Sequence, residues 1–204
     1  MNASPNCEKL CQDLAEFHVT LLQNLRVSLW KALFLVIAIG VLPAFAGSDE
    51  PGVSNLMEMK WTGNVKPSSE KIFEGGSDYS LRWEAGHAPT SRARLLLGDY
   101  GTLTDWSSNH TLEVSIYAEE PNETLITIAA YPEPLESDEA SYYFYRIPVD
   151  WSGWKEFSIP LAKFSPVRSP DGWSKISRLE FMSHHGASPI PGTILYLNNI
   201  RLKP

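Results

Sequence analysis

Leu112-Glu113-Val114-Ser115-Ile116-Tyr117-Ala118 decides the fold class. Successive side chains of an extended chain point to opposite sides, so Leu112, Val114, Ile116 and Ala118 share one side and Glu113, Ser115 and Tyr117 the other. The same period of two continues outward. Phe157, Ile159 and Leu161 alternate against Glu156 and Ser158, and Leu179 and Phe181 against Arg178, Glu180 and Met182. In residues 142–149 both parities carry aromatics. There Ile147 and Val149 assign Tyr143 and Tyr145 to the apolar side and leave Tyr142, Phe144 and Arg146 outside. Strands are predicted over 58–61, 79–83, 93–97, 112–118, 125–131, 142–149, 155–159, 178–183 and 193–202. Turn-forming clusters separate them at 74–78, 98–101, Pro121-Asn122, 169–172 and Pro191-Gly192. No segment sustains a helical period. One-faced strands at this spacing predict an all-β sandwich of two antiparallel sheets packed through their apolar sides.

The first 46 residues read as a leader and export signal. Residues 32–46 are apolar and uncharged, Arg26 and Lys31 precede them, and Ala44-Phe45-Ala46 is a small-x-small cleavage site before Gly47. Spanning a bilayer takes about 20 apolar residues; the alternative is an uncleaved anchor starting near Val27. Residues 1–26 are long for a signal and carry Glu8, Asp13 and Glu16, whereas translation from Val27 would give a signal of ordinary proportions. The expected location is therefore secreted or periplasmic. Residues 47–57 read as a linker and 58–204 as the folded domain. Both cysteines, Cys7 and Cys11, lie in the leader, so the domain must hold together through its core and offers no thiolate chemistry. The net charge is −7 and the basic residues are scattered singly, which argues against a nucleic-acid partner.

One run carries more than a pattern. Val149-Asp150-Trp151-Ser152-Gly153-Trp154-Lys155-Glu156-Phe157-Ser158-Ile159-Pro160-Leu161 is a strand end, a Trp-rich turn and a strand closed by Ile-Pro-Leu. A Gly-Trp turn follows at Gly172-Trp173-Ser174-Lys175-Ile176, and then a final strand, Leu195-Tyr196-Leu197-Asn198-Asn199-Ile200-Arg201-Leu202. With residues 74–83 as an early turn and strand, the set resembles the jelly-roll carbohydrate-binding modules of the galactose-binding-domain-like type. The resemblance implies a jelly roll with a carbohydrate ligand, in all expectation a polysaccharide, on an exposed sheet face or at the loop tips. Many relatives hold a structural calcium through an acidic residue of the closing strand. Here that position reads Asn198-Asn199, without the carboxylates that hard cations favour, and no cofactor is expected.

Sugars stack their C–H faces on aromatic rings while carboxylates, guanidiniums and amides take the hydroxyls. By parity, Tyr142, Phe144 and Arg146 share one exposed side, Arg178 and Glu180 share another with His184 extending the row, and Glu156 is a further candidate. These seven are the expected ligand-binding residues, provided their strands are neighbours; the plain alternative is a solvated face with a cross-strand Arg–Glu pair. Trp154 and Trp173 are read as core or rim packing, and Trp61 and Trp106 as weak ligand candidates. On a continuous strand His184 and His185 would point to opposite faces and could not chelate one ion.

No Gly-x-Ser-x-Gly elbow, phosphate-cradling Gly loop or His-Glu-x-x-His occurs. Glu119-Glu120 and Asp138-Glu139 are adjacent pairs, not two carboxyls held about 5–10 Å apart across a cleft as a glycosidase needs. The expected function is thus non-catalytic carbohydrate binding. Two alternatives stay open: a jelly-roll polysaccharide lyase or glycoside hydrolase drawing on Tyr142, Arg146 and His184, and a structural or protein-docking sandwich.

Overall fold

A computed structural model of the chain describes residues 54–87, 89–98, 104–132 and 141–204. The expected leader and signal, most of the linker, and Asp138-Glu139 lie outside the described residues.

Among the described residues, twelve strands form two antiparallel sheets. The first sheet runs β3 (Val65–Ser68), β4 (Ser80–Trp83), β12 (Leu195–Lys203), β6 (Thr111–Ala118), β9 (Gly153–Pro160), with β1 (Ser54–Asn55) also paired to β12. The second runs β10 (Ser165–Val167), β8 (Tyr142–Pro148), β7 (Leu125–Pro132), β11 (Ile176–Met182), β5 (Arg92–Leu96), β2 (Trp61–Gly63). This is the expected two-sheet jelly-roll sandwich.

The alternation read from sequence sets which side is buried. Leu112, Val114, Ile116 and Ala118 of β6 meet Leu179 and Phe181 of β11, Ile126, Ile128 and Ala130 of β7, and Ile147 of β8 in one core. Tyr143 and Tyr145 pack against that core, as Ile147 and Val149 required. Burying a large apolar side chain here stabilises the fold by about 2 kcal/mol, which is what a domain without disulfides must rely on.

Three strands were not foreseen. β3 and β10 are edge strands containing Pro67 and Pro166. Proline cannot donate to a ladder, so it tolerates an edge but removes the sequence signal of a strand. The third, β1, corrects the domain boundary. It pairs Ser54 with Leu202 and Asn55 with Arg201, and the next two residues, Leu56 and Met57, are completely buried. The fold begins by Ser54, not at residue 58; two core residues were hidden inside a polar-looking linker.

Candidate functional site

The outer face of the second sheet gathers most of the residues singled out from sequence. Across its central strands, Phe144 on β8 faces Ala129 on β7, Ala129 faces Glu180 on β11, and Glu180 faces Arg94 on β5. In the next row Arg146 faces Thr127, then Met182, then Arg92. On the other side Tyr131 faces Arg178, which faces Leu96. Ala129, Tyr131 and Met182 form an apolar cluster separate from the main core, with Tyr142 packed against it. The Tyr131 and Tyr142 rings lie 5.1 Å apart, and Tyr142 and Phe144 6.3 Å apart.

Glu180 sits at the floor of this face with 1% of its side chain exposed. Arg94 donates a hydrogen bond to it, Arg178 Nε lies 3.4 Å from its Oε1 and Arg92 Nη1 3.9 Å. Burying a carboxylate is costly unless it is paired, and three guanidiniums supply the pairing. The Arg178 guanidinium also lies over the Tyr131 ring at 3.8 Å, a cation–π contact. Burial, reinforced by the Glu180 charge, pushes the Tyr131 phenol up and is only partly offset by Arg178. Tyr131 is therefore a neutral phenol.

His184 and His185 correct the sequence reading. Strand β11 ends at Met182, and the buried Ser183 hydroxyl hydrogen-bonds to the Ala85 carbonyl, so the alternation does not continue. His184 turns towards β5, with Nδ1 3.0 Å from the Ser91 carbonyl and Nε2 3.5 Å from Arg92 Nη2. His185 turns towards β8: its Nε2 lies 3.0 Å from the Tyr142 hydroxyl and its ring meets Tyr142 and Phe144 edge-on. The rings diverge sideways, and His185, not His184, borders the aromatics. Burial, then the neighbouring Arg146 and His184 charges, lower the His185 pKa. Gly186 follows at φ +89°, with the Arg146 guanidinium so close that a Cβ would lie 2.7 Å from its Nη2. A side chain there would be strained by the backbone and would displace Arg146.

Five of the seven expected residues (Tyr142, Phe144, Arg146, Arg178 and Glu180) thus share one face, and His184 lies at its border. Glu156 does not join them. It sits on β9, opposite Ser115 of β6, on the outer side of the first sheet. Alternation tells which side of a strand a residue occupies, not which sheet the strand enters. Arg92 and Arg94 were missed. Their signal lies in the sequence, where Arg92, Arg94 and Leu96 alternate with Ala93, Leu95 and Leu97.

The tryptophans divide differently from expectation. Trp106 is fully buried and stacked on Trp173, and Trp61 packs against the core with Nε1 donating to the Leu56 carbonyl at 3.0 Å. Neither stands as a ligand candidate. Trp173 packs on the core as expected, stacked on Tyr143 at 4.1 Å. Trp154 is no core residue. It faces Tyr117 on the outer side of the first sheet, with Phe73 and Tyr117 edge-on at 5.3 and 5.6 Å.

The calcium that the family resemblance raises can be tested against the closing strand. Asn198 is completely buried, and its Oδ1 accepts from the Ser77 and Asn199 amides at 3.0 and 2.6 Å. Its Nδ2 donates to the Ser77 and Tyr79 carbonyls and to Ser80 Oγ at 3.2, 3.0 and 3.1 Å. An amide nitrogen already bridges those three oxygens, so Asn198 itself does not fit as a calcium ligand.

With the geometry in hand, relatives can be compared. No protein-family model and no curated protein matches the chain. Among solved structures, a family 11 carbohydrate-binding module from Clostridium thermocellum in complex with a β-1,3-1,4-mixed-linked tetrasaccharide is similar. Its TM-score is 0.51 at 17% identity, over 74% of this chain and 85% of that one. A family 30 carbohydrate-binding module gives a TM-score of 0.52 at 15% identity, over 74% of this chain and 76% of that one. The fold is that of the jelly-roll carbohydrate-binding modules. Identities this low establish architecture, and function has to be argued from the site.

Proposed function

We propose that this chain is an exported, non-catalytic polysaccharide-binding protein whose ligand lies on the outer face of the second sheet. The observation that carries this reading is the separate cluster of Tyr131, Tyr142, Ala129 and Met182, joined by Phe144 and ringed by Arg146, Arg178, Arg92 and Arg94. Rings offer stacking surface to sugar C–H faces, and guanidiniums offer paired donors to oxygen atoms. The bound tetrasaccharide of the family 11 neighbour supports a sugar as the ligand class. Export is supported by the apolar run and the small-x-small site of residues 32–46.

Binding is favoured over hydrolysis because the described residues of this face hold one carboxylate, Glu180, and arginines engage its Oε1. A two-carboxyl glycosidase mechanism has no second partner there. The lyase reading is kept alive by one contact, the 3.0 Å approach of the Tyr142 hydroxyl to His185 Nε2, a base-and-acid pairing of the sort proton abstraction uses.

Affinity electrophoresis of the full chain through gels containing plant, algal and animal polysaccharides tests the binding role. At least one polymer is expected to retard the wild type, and Tyr142→Ala with Phe144→Ala to abolish the retardation. A uniform failure would move the assignment to a docking sandwich. Release of unsaturated uronate ends, abolished in His185→Ala, would move it to a lyase.

A further inference from the structure

We propose that the polysaccharide bound by this face is anionic, a chain bearing carboxylate or sulfate groups, and not a neutral glucan. This deepens the carbohydrate-binding reading and rests on it.

Among the described residues, four guanidiniums, those of Arg92, Arg94, Arg146 and Arg178, share the face with a single carboxylate. Glu180 lies beneath three of them with 1% of its side chain exposed, while Arg178, Arg94 and Arg92 keep 19%, 30% and 33% exposed. One buried negative charge therefore supports three outward-reaching positive ones. Arg146 is exposed, its guanidinium 4.9 Å from the Phe144 ring, and among the described residues no carboxylate pairs with it. Among the described residues the face carries an excess of three positive charges, on a chain whose net charge is −7. Cations gathered against the sign of the whole molecule are a local device, not a consequence of composition.

The placement also suits the proposed ligand. A guanidinium presents a planar fork of N–H donors that matches a carboxylate or sulfate in a bidentate manner. Glu180 holds Arg94 and Arg178 in place, and Tyr131 supports Arg178 from below, so less side-chain freedom is lost on binding. The neighbouring rings of Tyr142 and Phe144 would take the pyranose face while the arginines take the acid groups. A neutral glucan would satisfy the rings but leave the positive excess without a counter-charge.

The test measures dissociation constants of the full chain for polygalacturonate, its fully methyl-esterified form, κ-carrageenan, mixed-linkage β-glucan and polyglutamate. Polygalacturonate or κ-carrageenan is expected to bind about tenfold or more tightly than the neutral glucan, and to weaken steadily with added salt. The stronger of the two identifies the acid group. Arg146→Ala is expected to weaken that binding about tenfold and Arg146→Lys less, with melting temperature unchanged because Arg146 is exposed. Equal affinity for free and esterified polygalacturonate, or glucan binding unaffected by Arg146→Ala, would overturn the anionic assignment and leave the carbohydrate role standing. No binding to any polysaccharide, or polyglutamate binding as tightly as the sugar polymers, would overturn the carbohydrate role itself.

Discussion

The two outer faces of the sandwich carry similar residues and use them in opposite ways. On the first sheet Tyr117, Trp154 and Tyr196 line up from β6, β9 and β12, and the segment before β4 folds across them. Phe73 meets Trp154 edge-on, and Lys71 lies 4.5 Å over the Tyr117 ring and donates to its hydroxyl at 2.9 Å. Tyr196 donates to Glu70. Ion pairs there join Lys71 to Glu119, Arg82 to Glu84 and Glu70, and Lys203 to Glu113. On the second sheet three arginines converge on one carboxylate, and Arg146 has no acid at all among the described residues. Aromatic content does not distinguish the faces. What does is the balance of charge: on the second sheet arginines outnumber the described carboxylate.

Removing a carboxylate from each face should give the largest contrast. Glu180→Ala is expected to destabilise by about 3 kcal/mol, because it strands guanidiniums packed for a buried partner; their partial exposure keeps the loss towards the lower end. Glu119, 76% exposed in its pair with Lys71, behaves as a surface ion pair, and Glu119→Ala should leave the melting temperature within about 1 °C. Thermal unfolding of the two variants side by side decides the matter. Equal effects would mean that the Glu180 cluster is no more than another solvated pair.

A smaller effect separates folding from binding. Trp154→Ala should cost about 2 kcal/mol of stability through its lost edge-on contacts with Phe73 and Tyr117, yet leave polysaccharide affinity within about twofold. The comparison variant is Tyr142→Ala, whose loss should fall mainly on affinity. If Trp154→Ala abolished retention while Tyr142→Ala spared it, the two faces would have to exchange roles.

Much of this contrast was legible in the sequence, and the gaps have physical causes. Alternation placed Tyr142, Phe144 and Arg146 outside because Ile147 and Val149 had to be inside, and it placed Arg178 and Glu180 together outside by the same logic. Strand order is not written in alternation. That β11 lies between β7 and β5, bringing Glu180 to Arg94, depends on long-range pairing, and so does the separation of Glu156 onto the other sheet. A period of two carried past Met182 favours His184 over His185, but the chain departs from it where Ser183 is anchored to Ala85. The prolines of β3 and β10 hid two edge strands. Asn198 was noted for the carboxylate it lacks, whereas its role in bridging Ser77, Tyr79 and Ser80 needed coordinates to be seen.

The smallest expected effect sharpens the comparison by pH. His185 borders the arginine-rich face, and burial first, then Arg146 and His184, depress its pKa below the ordinary 6.5. Below pH 6.5 the unfolded chain takes up a proton that the folded chain refuses, so its contribution to stability is complete above 6.5 and is lost as pH falls through the lowered folded value. Melting temperature should therefore decline as pH falls below about 6.5. In His185→Gln that part of the decline should flatten. A bound polyanion lowers the positive potential around the ring and eases its protonation, so acidic polysaccharide should also reduce the decline in the wild type. An unchanged slope in His185→Gln would place the titrating group elsewhere. A ligand that steepened the slope would contradict an acidic chain lying beside His185.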